Sequence, residues 1–410
     1  MQIGYITFNS EERQRVMKVL QMVRDQNAID ELGLGRIRDA FANEMFPGMS
    51  TLQRRAKYFA VLPSLYHEAT KMNYRNPQEV RKQIIHWEIR LTEMLINGCG
   101  ISDEKMTGIT GSSTLEAAKR DETKYVKYDP TYIYQNGMRL YGMIRGNVSL
   151  EKLIFDQSVL RKKYPERYTN LDTSSDAEEQ FGIKQVFVTC GEAYDFENGD
   201  KLPIQLTYKE AAFLKNHIET SHNSKDSLLA YLLKNEIDVK PYFADFEKTK
   251  SIMDNLPEHF QRQYKLALHF SNWAKYMHLR YRYLFALGNG NIEDKNSWEG
   301  QMKNLLDDHN EILDEQWMYE VLQYVDNLVL EPTVKQFCME AAILLSDENK
   351  QKELDELIKK REKRIKGKRH KIDNPKYINY SMGTPSTMSF RWNEIVYQVI
   401  TDIRNGYGKK

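Results

Sequence analysis

PEHFQRQYKLALHFSNWAKYMHLRYRYLFAL, residues 257–287, is the longest helical segment of the chain and sets its class. Proline suits the first position of a helix, so Pro257 can open it, and Gly288-Asn289-Gly290-Asn291 stops it with a chain reversal. Working outward, the same helical spacing recurs. Residues 11–25 place Val16, Val19, Leu20 and Val23 on one stripe, and a second helix is expected at 37–46. Pro47-Gly48 is a turn. Ser50 with Gln53 then reads as a capping box that opens a long helix to Lys71, kinked at Pro63. Pro77 opens another, ending at Asn97-Gly98, a pair suited to a left-handed stop. Asp129-Pro130 starts a Tyr-rich helix to Ile144, and Ser149 one to Tyr164.

Residues 170–206 are the best linker candidate; 184–190 and 202–206 within them flank Asn198-Gly199-Asp200 and could pair as a small hairpin. Thr207 with Glu210 is a second capping box, and helices continue to Leu345. A charged helix, 347–366, ends at Gly367, and the last helix spans 391–404. The expectation is a mainly α, multi-helix chain of two to three helical domains with at most a small hairpin. The boundaries read as 1–169, a linker at 170–206, 207–345 and 346–410.

At 410 residues the chain is longer than one hydrophobic core usually serves. Its 41% hydrophobic and 29% charged residues fit a protein folded over most of its length. Tyrosine is common, at 25 residues, and can pack its ring while its hydroxyl finds a polar partner. Cys99, Cys190 and Cys338 are odd in number and far apart, which supports neither a disulfide framework nor a zinc site and fits a reducing cytoplasm. No signal peptide and no transmembrane run are read. No cofactor motif survives either. Gly33-Leu34-Gly35 lacks a third glycine and a preceding strand. Gly111-Ser112-Ser113 is no nucleophile elbow. His217 and His222, at i and i+5, splay to different faces of a helix.

Two segments carry functional expectations. The first is 35–59, GRIRDAFANEMFPGMSTLQRRAKYF. On a helix opened by Ser50, Leu52, Arg55, Ala56, Phe59, Leu62 and Tyr66 share the inner face, and Arg54 and Lys57 the outer. Arg55 then needs an acidic partner, with Asp39 or Glu44 at hand. Arg54, Lys57 and the helix start could alternatively face phosphate, as in a helix-turn-helix unit. The second is 359–371, KKREKRIKGKRHK. It holds nine Lys/Arg and one acid, a local charge of +8 that leaves −7 for the rest of the chain. Leu354, Leu357, Ile358 and Ile365 make an apolar stripe, and Lys359, Lys360, Lys363 and Lys366 project opposite. Lys368, Arg369 and Lys371 extend this ridge past Gly367. A solvated helix usually alternates its charges, so one-signed crowding points to a polyanion, DNA or RNA, or else to an acidic protein. Arg364 and His370 stand five residues apart, the spacing of the Rx4–6H motif of HEPN-type ribonucleases, although Gly367 interrupts them and basic runs produce such spacings readily.

Further motifs carry a family resemblance. Gly4-Tyr5-Ile6-Thr7-Phe8, Ser10-Glu11-Glu12-Arg13, Asp30-Glu31-Leu32-Gly33-Leu34-Gly35, Phe46-Pro47-Gly48 and Arg55-Ala56-Lys57-Tyr58-Phe59 stand in this order. Together with Ser227-Leu228-Leu229-Ala230, Ile365-Lys366-Gly367-Lys368-Arg369 and Phe390-Arg391-Trp392, they resemble a bacterial domain-of-unknown-function family of about four hundred residues along the whole chain. The resemblance implies a setting, not a chemistry. Such proteins are encoded in anti-phage defence islands beside helicase genes with phospholipase-D-type nuclease domains, as in the Azaca system. It implies a helicase/nuclease partner and brings no catalytic residues.

Overall fold

A computed structural model describes residues 30–99, 108–166, 168, 185–237, 245–326 and 331–408. The stripe expected at 11–25 and the opening motifs up to Arg13 lie outside them. The chain is mainly α, with no strand among the described residues. Its helices are α1 (Gly35–Met45), α2 (Lys57–Ala69), α3 (Pro77–Cys99), α4 (Leu115–Ala118), α5 (Pro130–Leu140), α6 (Leu150–Lys163), α7 (Tyr208–Thr220) and α8 (Leu228–Lys234). They continue with α9 (Lys250–Met253), α10 (Glu258–Gly288), α11 (Ile292–Asp308), α12 (Glu315–Tyr324), α13 (Pro332–Ser346), α14 (Gln351–Lys366) and α15 (Tyr397–Tyr407).

The helices form two compact units, each discontinuous in sequence: Met1–Ala42 with Phe246–Phe390, and Asn43–Asp245 with Arg391–Lys410. These differ from the consecutive boundaries expected from composition. In the first unit α10 is the spine. Its Leu266, Phe270, Trp273, Met277 and Tyr281 are all buried, and each such side chain removed from water contributes about 1.5–3 kcal/mol. The Phe41 ring stacks on Tyr324 at 5.5 Å and meets Phe270 at 6.4 Å. α14 packs on α10 and α13.

In the second unit Tyr58, Phe59, Tyr134 and Tyr141 form an aromatic core. The tyrosine hydroxyls are used: Tyr134 donates to the Arg55 carbonyl and Tyr141 to that of Pro47. The Thr207–Glu210 capping box is present with both reciprocal bonds, and Asp129 and Ser149 cap α5 and α6 as read.

Three local expectations are corrected. Ser50 opens no helix. Its amide does bond to Gln53 Oε1, at 3.1 Å, but Gln53 Nε2 reaches back to the Gly48 carbonyl, and the Arg54 and Arg55 amides donate to the Tyr134 hydroxyl. The backbone of 50–55 is thus held by side chains, and α2 begins at Lys57. Gly98 is no left-handed stop: it lies within α3, and a Cβ there would overlap the Leu202 carbonyl, so its role is close backbone approach. The hairpin does not form. Lys184 lies outside the described residues, and the following segment pairs with 143–145, through an antiparallel bridge Ile144–Phe187 and Val188 N–H to the Met143 carbonyl.

Candidate nucleic-acid interface

The basic helix α14 is fixed at both ends from α10. Arg280 donates to Asp355 Oδ1 at 2.6 Å and to the Gln351 side chain and carbonyl at 2.6 and 2.9 Å. At the other end the Tyr281 hydroxyl donates to Glu362 Oε1 at 2.6 Å. Burial first, then the carboxylates of Glu31 and Glu362, push the Tyr281 phenol far up, so it stays a proton donor. Glu362, the one acid of the run, is fully buried and accepts the Lys371 and Ile372 amides at 2.7 and 3.1 Å. It therefore folds the chain back under the helix end. Gly367 stands there at φ +54°, ψ −127°, a conformation that essentially only glycine adopts.

The inner stripe differs from the one expected. Leu354 and Ile358 are buried, but Ile365 is 37% exposed, and Arg361 takes the buried place instead. Its guanidinium donates to the Leu32 and Thr333 carbonyls at 2.9 and 3.2 Å and lies 5.1 Å from the centre of the Phe337 ring. Those carbonyls satisfy a charge that burial otherwise disfavours, and burial lowers its pKa.

The expected ridge residues separate into two sets. Lys371 is buried on Glu31 at 2.7 Å, and Lys366, mostly covered, lies 3.3 Å from the same carboxylate. Lys359 pairs with Glu356 at 3.2 Å and Asp373 at 3.7 Å. These three serve the fold. Lys360, Lys363, Lys368 and Arg369 are exposed, as is Arg364, which the ridge reading had passed over. None of these five has an ion pair among the described residues. Positions 360, 363 and 364 share one face of α14, and Lys368 and Arg369 follow Gly367 in the 3-10 turn Gly367–Arg369. With a rise of about 1.5 Å per residue, the helical part of this set, 360–364, rises about 6 Å along α14. His370 is half-buried and directs Nδ1 to the Gly367 carbonyl at 2.9 Å.

The other candidate segment resolves differently. Lys57, expected on the outer face, is 1% exposed, with Nζ 2.6 Å from Glu210 Oε1. Burial lowers its pKa while Glu210 raises it. It cannot serve as a phosphate contact in this position. Arg55 does point inward, but its partner is neither Asp39 nor Glu44. It forms a two-pronged pair with Asp402 of α15, Nε–Oδ2 3.0 Å and Nη2–Oδ1 3.1 Å. Leu52, expected inside, is exposed, and Arg54 is half-buried. With no helix opening at Ser50, the helix-turn-helix geometry is lost as well.

No group of three His, Cys, Asp or Glu among the described residues could hold a metal ion. No helix among them is long and apolar enough to cross a membrane. The three cysteines are buried, and none forms a disulfide.

No curated protein and no solved structure matches the chain. Residues 1–143 match the model of a family of unknown function, DUF6361, so the likeness covers the N-terminal third and stops well before the basic helix.

Proposed function

We propose that this chain binds nucleic acid through the five exposed cations of 360–369, as a backbone-contacting accessory subunit. The observation that carries the reading is the sorting of one basic run. Acids drawn from Glu31, Glu356 and Asp373 take Lys359, Lys366 and Lys371, while Lys360, Lys363, Arg364, Lys368 and Arg369 stay exposed, with no ion pair among the described residues. Packing from beneath holds the backbone of α14 in place, so a polyanion is met without an ordering cost for that backbone. In the setting that the resemblance implies, the subunit would hold DNA or RNA for a helicase/nuclease partner in bacterial anti-phage defence.

Binding to single- and double-stranded DNA and RNA, measured across a salt series, tests the reading. Replacing the five cations with Gln keeps good helix formers, so melting should be unchanged. Each lost phosphate contact flattens the dependence of log affinity on log salt by about 0.7–0.9, or roughly 4 for all five. Weakening should be uniform across sequences. Lys359→Gln should leave the salt slope in place, because its charge is already spent on Glu356 and Asp373. A folded five-site variant with unaltered affinity and slope sinks the proposal. Loss of a co-purifying acidic protein in its place would assign the ridge to a protein partner.

A further inference from the structure

We infer that Tyr377 and Ile378, which follow the basic face, form a stacking platform for an unpaired base, so that the ligand is single-stranded. The inference rests on the nucleic-acid reading above and names its substrate class.

The segment is held firmly where it leaves the ridge. Asn374 donates to the His370 carbonyl at 2.6 Å and caps the short turn Pro375–Tyr377 by accepting the Lys376 amide at 3.2 Å. Behind it the Tyr380 ring is fixed on two sides. The Lys371 ammonium lies 4.1 Å from its centre, and the Phe285 ring meets it edge-on at 6.4 Å. Tyr377 rests on Tyr380 at 6.0 Å and 85°, so one edge of its ring is braced. Tyr377 is only half-buried, its hydroxyl has no hydrogen-bond partner among the described residues, and Ile378 is 60% exposed. A braced aromatic ring beside an exposed aliphatic side chain is costly to leave in water and suits a flat, apolar face.

The charge around the platform selects what that face belongs to. Lys376 beside the platform and Lys368 and Arg369, just before the His370 carbonyl that Asn374 holds, are exposed, and Asp373 is paired with Lys359. Exposed cations with an aromatic ring on the same stretch of chain are the two parts of a single-strand site: the cations meet the phosphates, and the ring takes a base face. In a duplex those faces are covered by neighbouring base pairs, so the ring adds nothing there. The cations alone cannot make this distinction.

The test compares full-length wild type, Tyr377→Leu, Tyr377→Trp, Ile378→Ser and the five-cation variant. The probes are a fluorescent mixed-sequence single strand and its duplex, as DNA and as RNA. Tyr377→Leu should weaken single-strand binding by about tenfold and leave duplex binding and the salt slope unchanged. Tyr377→Trp should keep or improve single-strand affinity. If Tyr377→Leu fails to fold, Ile378→Ser, at an exposed position, must lower the single-strand to duplex ratio in the same direction. An unchanged ratio in both variants overturns the platform, as does an equal loss on duplex, even where the five-cation variant has lost binding to everything. A five-cation variant that still binds with the original slope overturns the reading beneath it instead.

Discussion

Arg55→Ala should destabilise the protein by about 3–5 kcal/mol, the usual cost of stranding one member of a buried ion pair. The side chains of Arg55 and Asp402 are 12% and 5% exposed. Asp402 accepts two bonds from the guanidinium, one from the Ala56 amide at 3.0 Å and one from Gln398 Nε2 at 2.9 Å. Alanine at 55 removes the first two, each charge-assisted and contributing about 1.5–3 kcal/mol. The neutral donors Ala56 and Gln398 remain, which keeps the loss below the sum of a naked charge. Asp402→Asn should cost less, because an amide can still accept one bond from Arg55. Arg55→Met with Asp402→Leu should fall close to wild type, since replacing both charges removes their desolvation penalty along with their attraction. Urea unfolding of wild type, Arg55→Ala, Asp402→Asn and the Arg55→Ala/Asp402→Asn double variant closes a double-mutant cycle, with an expected coupling of about 1–3 kcal/mol. A single Arg55→Ala variant within about 0.5 kcal/mol of wild type, or an additive cycle, would refute the pair as a structural lock.

Glu88 is fully buried, and burial, with Asp129 adding to it, pushes its carboxyl up to about 8. Its folded pKa is raised above the unfolded one, so its contribution is complete below about pH 4.5 and is lost as pH rises through 8, at up to about 1.4 kcal/mol per pH unit. Glu88→Gln should therefore flatten stability between pH 5 and 8 and raise Tm at pH 8; parallel Tm-against-pH curves would remove the argument. Gly98→Ala must displace the Leu202 backbone and should cost about 1–3 kcal/mol, read by thermal melting. Gly300→Ala, exposed within α11 with nothing near its Cβ position, should instead stabilise by about 0.5–1 kcal/mol; a loss there would mean that the helix is misassigned.

What the sequence made legible was local. A capping box is decided within four residues, and Thr207 with Glu210 delivered one because both reciprocal bonds lie inside that span. Ser50 with Gln53 offers the same pattern of residue types and only half the bonds. There the competing donors and acceptors come from α5, roughly eighty positions along the chain, where the Tyr134 hydroxyl and the Ile133 carbonyl engage residues 53–55. That shift of the helix start to Lys57 carried the error outward. Faces counted from Ser50 put Lys57 in solvent, whereas on the real helix it is buried against Glu210. Discontinuous units are illegible for the same reason. Arg55 was correctly read as inward, but its partner lies 347 residues away, beyond any local search for an acid.

The basic run poses this problem at the level of function. Thirteen residues with nine cations look uniform as a string, and helical phase alone divides them into an inner and an outer face. Phase placed Ile365 inside and set Lys359 and Lys366 on the open face. The fold divides them by a different rule, the supply of acids and carbonyls from elsewhere. The Leu32 and Thr333 carbonyls draw Arg361 in, and Glu31 draws Lys366 and Lys371. Glu362, on paper a weakening of the positive patch, is what anchors it, through Tyr281 and the amides of 371 and 372. It follows that charge at these positions is not interchangeable. Removing Lys371 should leave the buried Glu31 carboxylate with Lys366 alone and show first in stability, whereas removing Arg364 should show first in polyanion affinity. Net charge falls by one in both variants, so a response common to the two would mean that the run acts as a diffuse cloud and not as a built face.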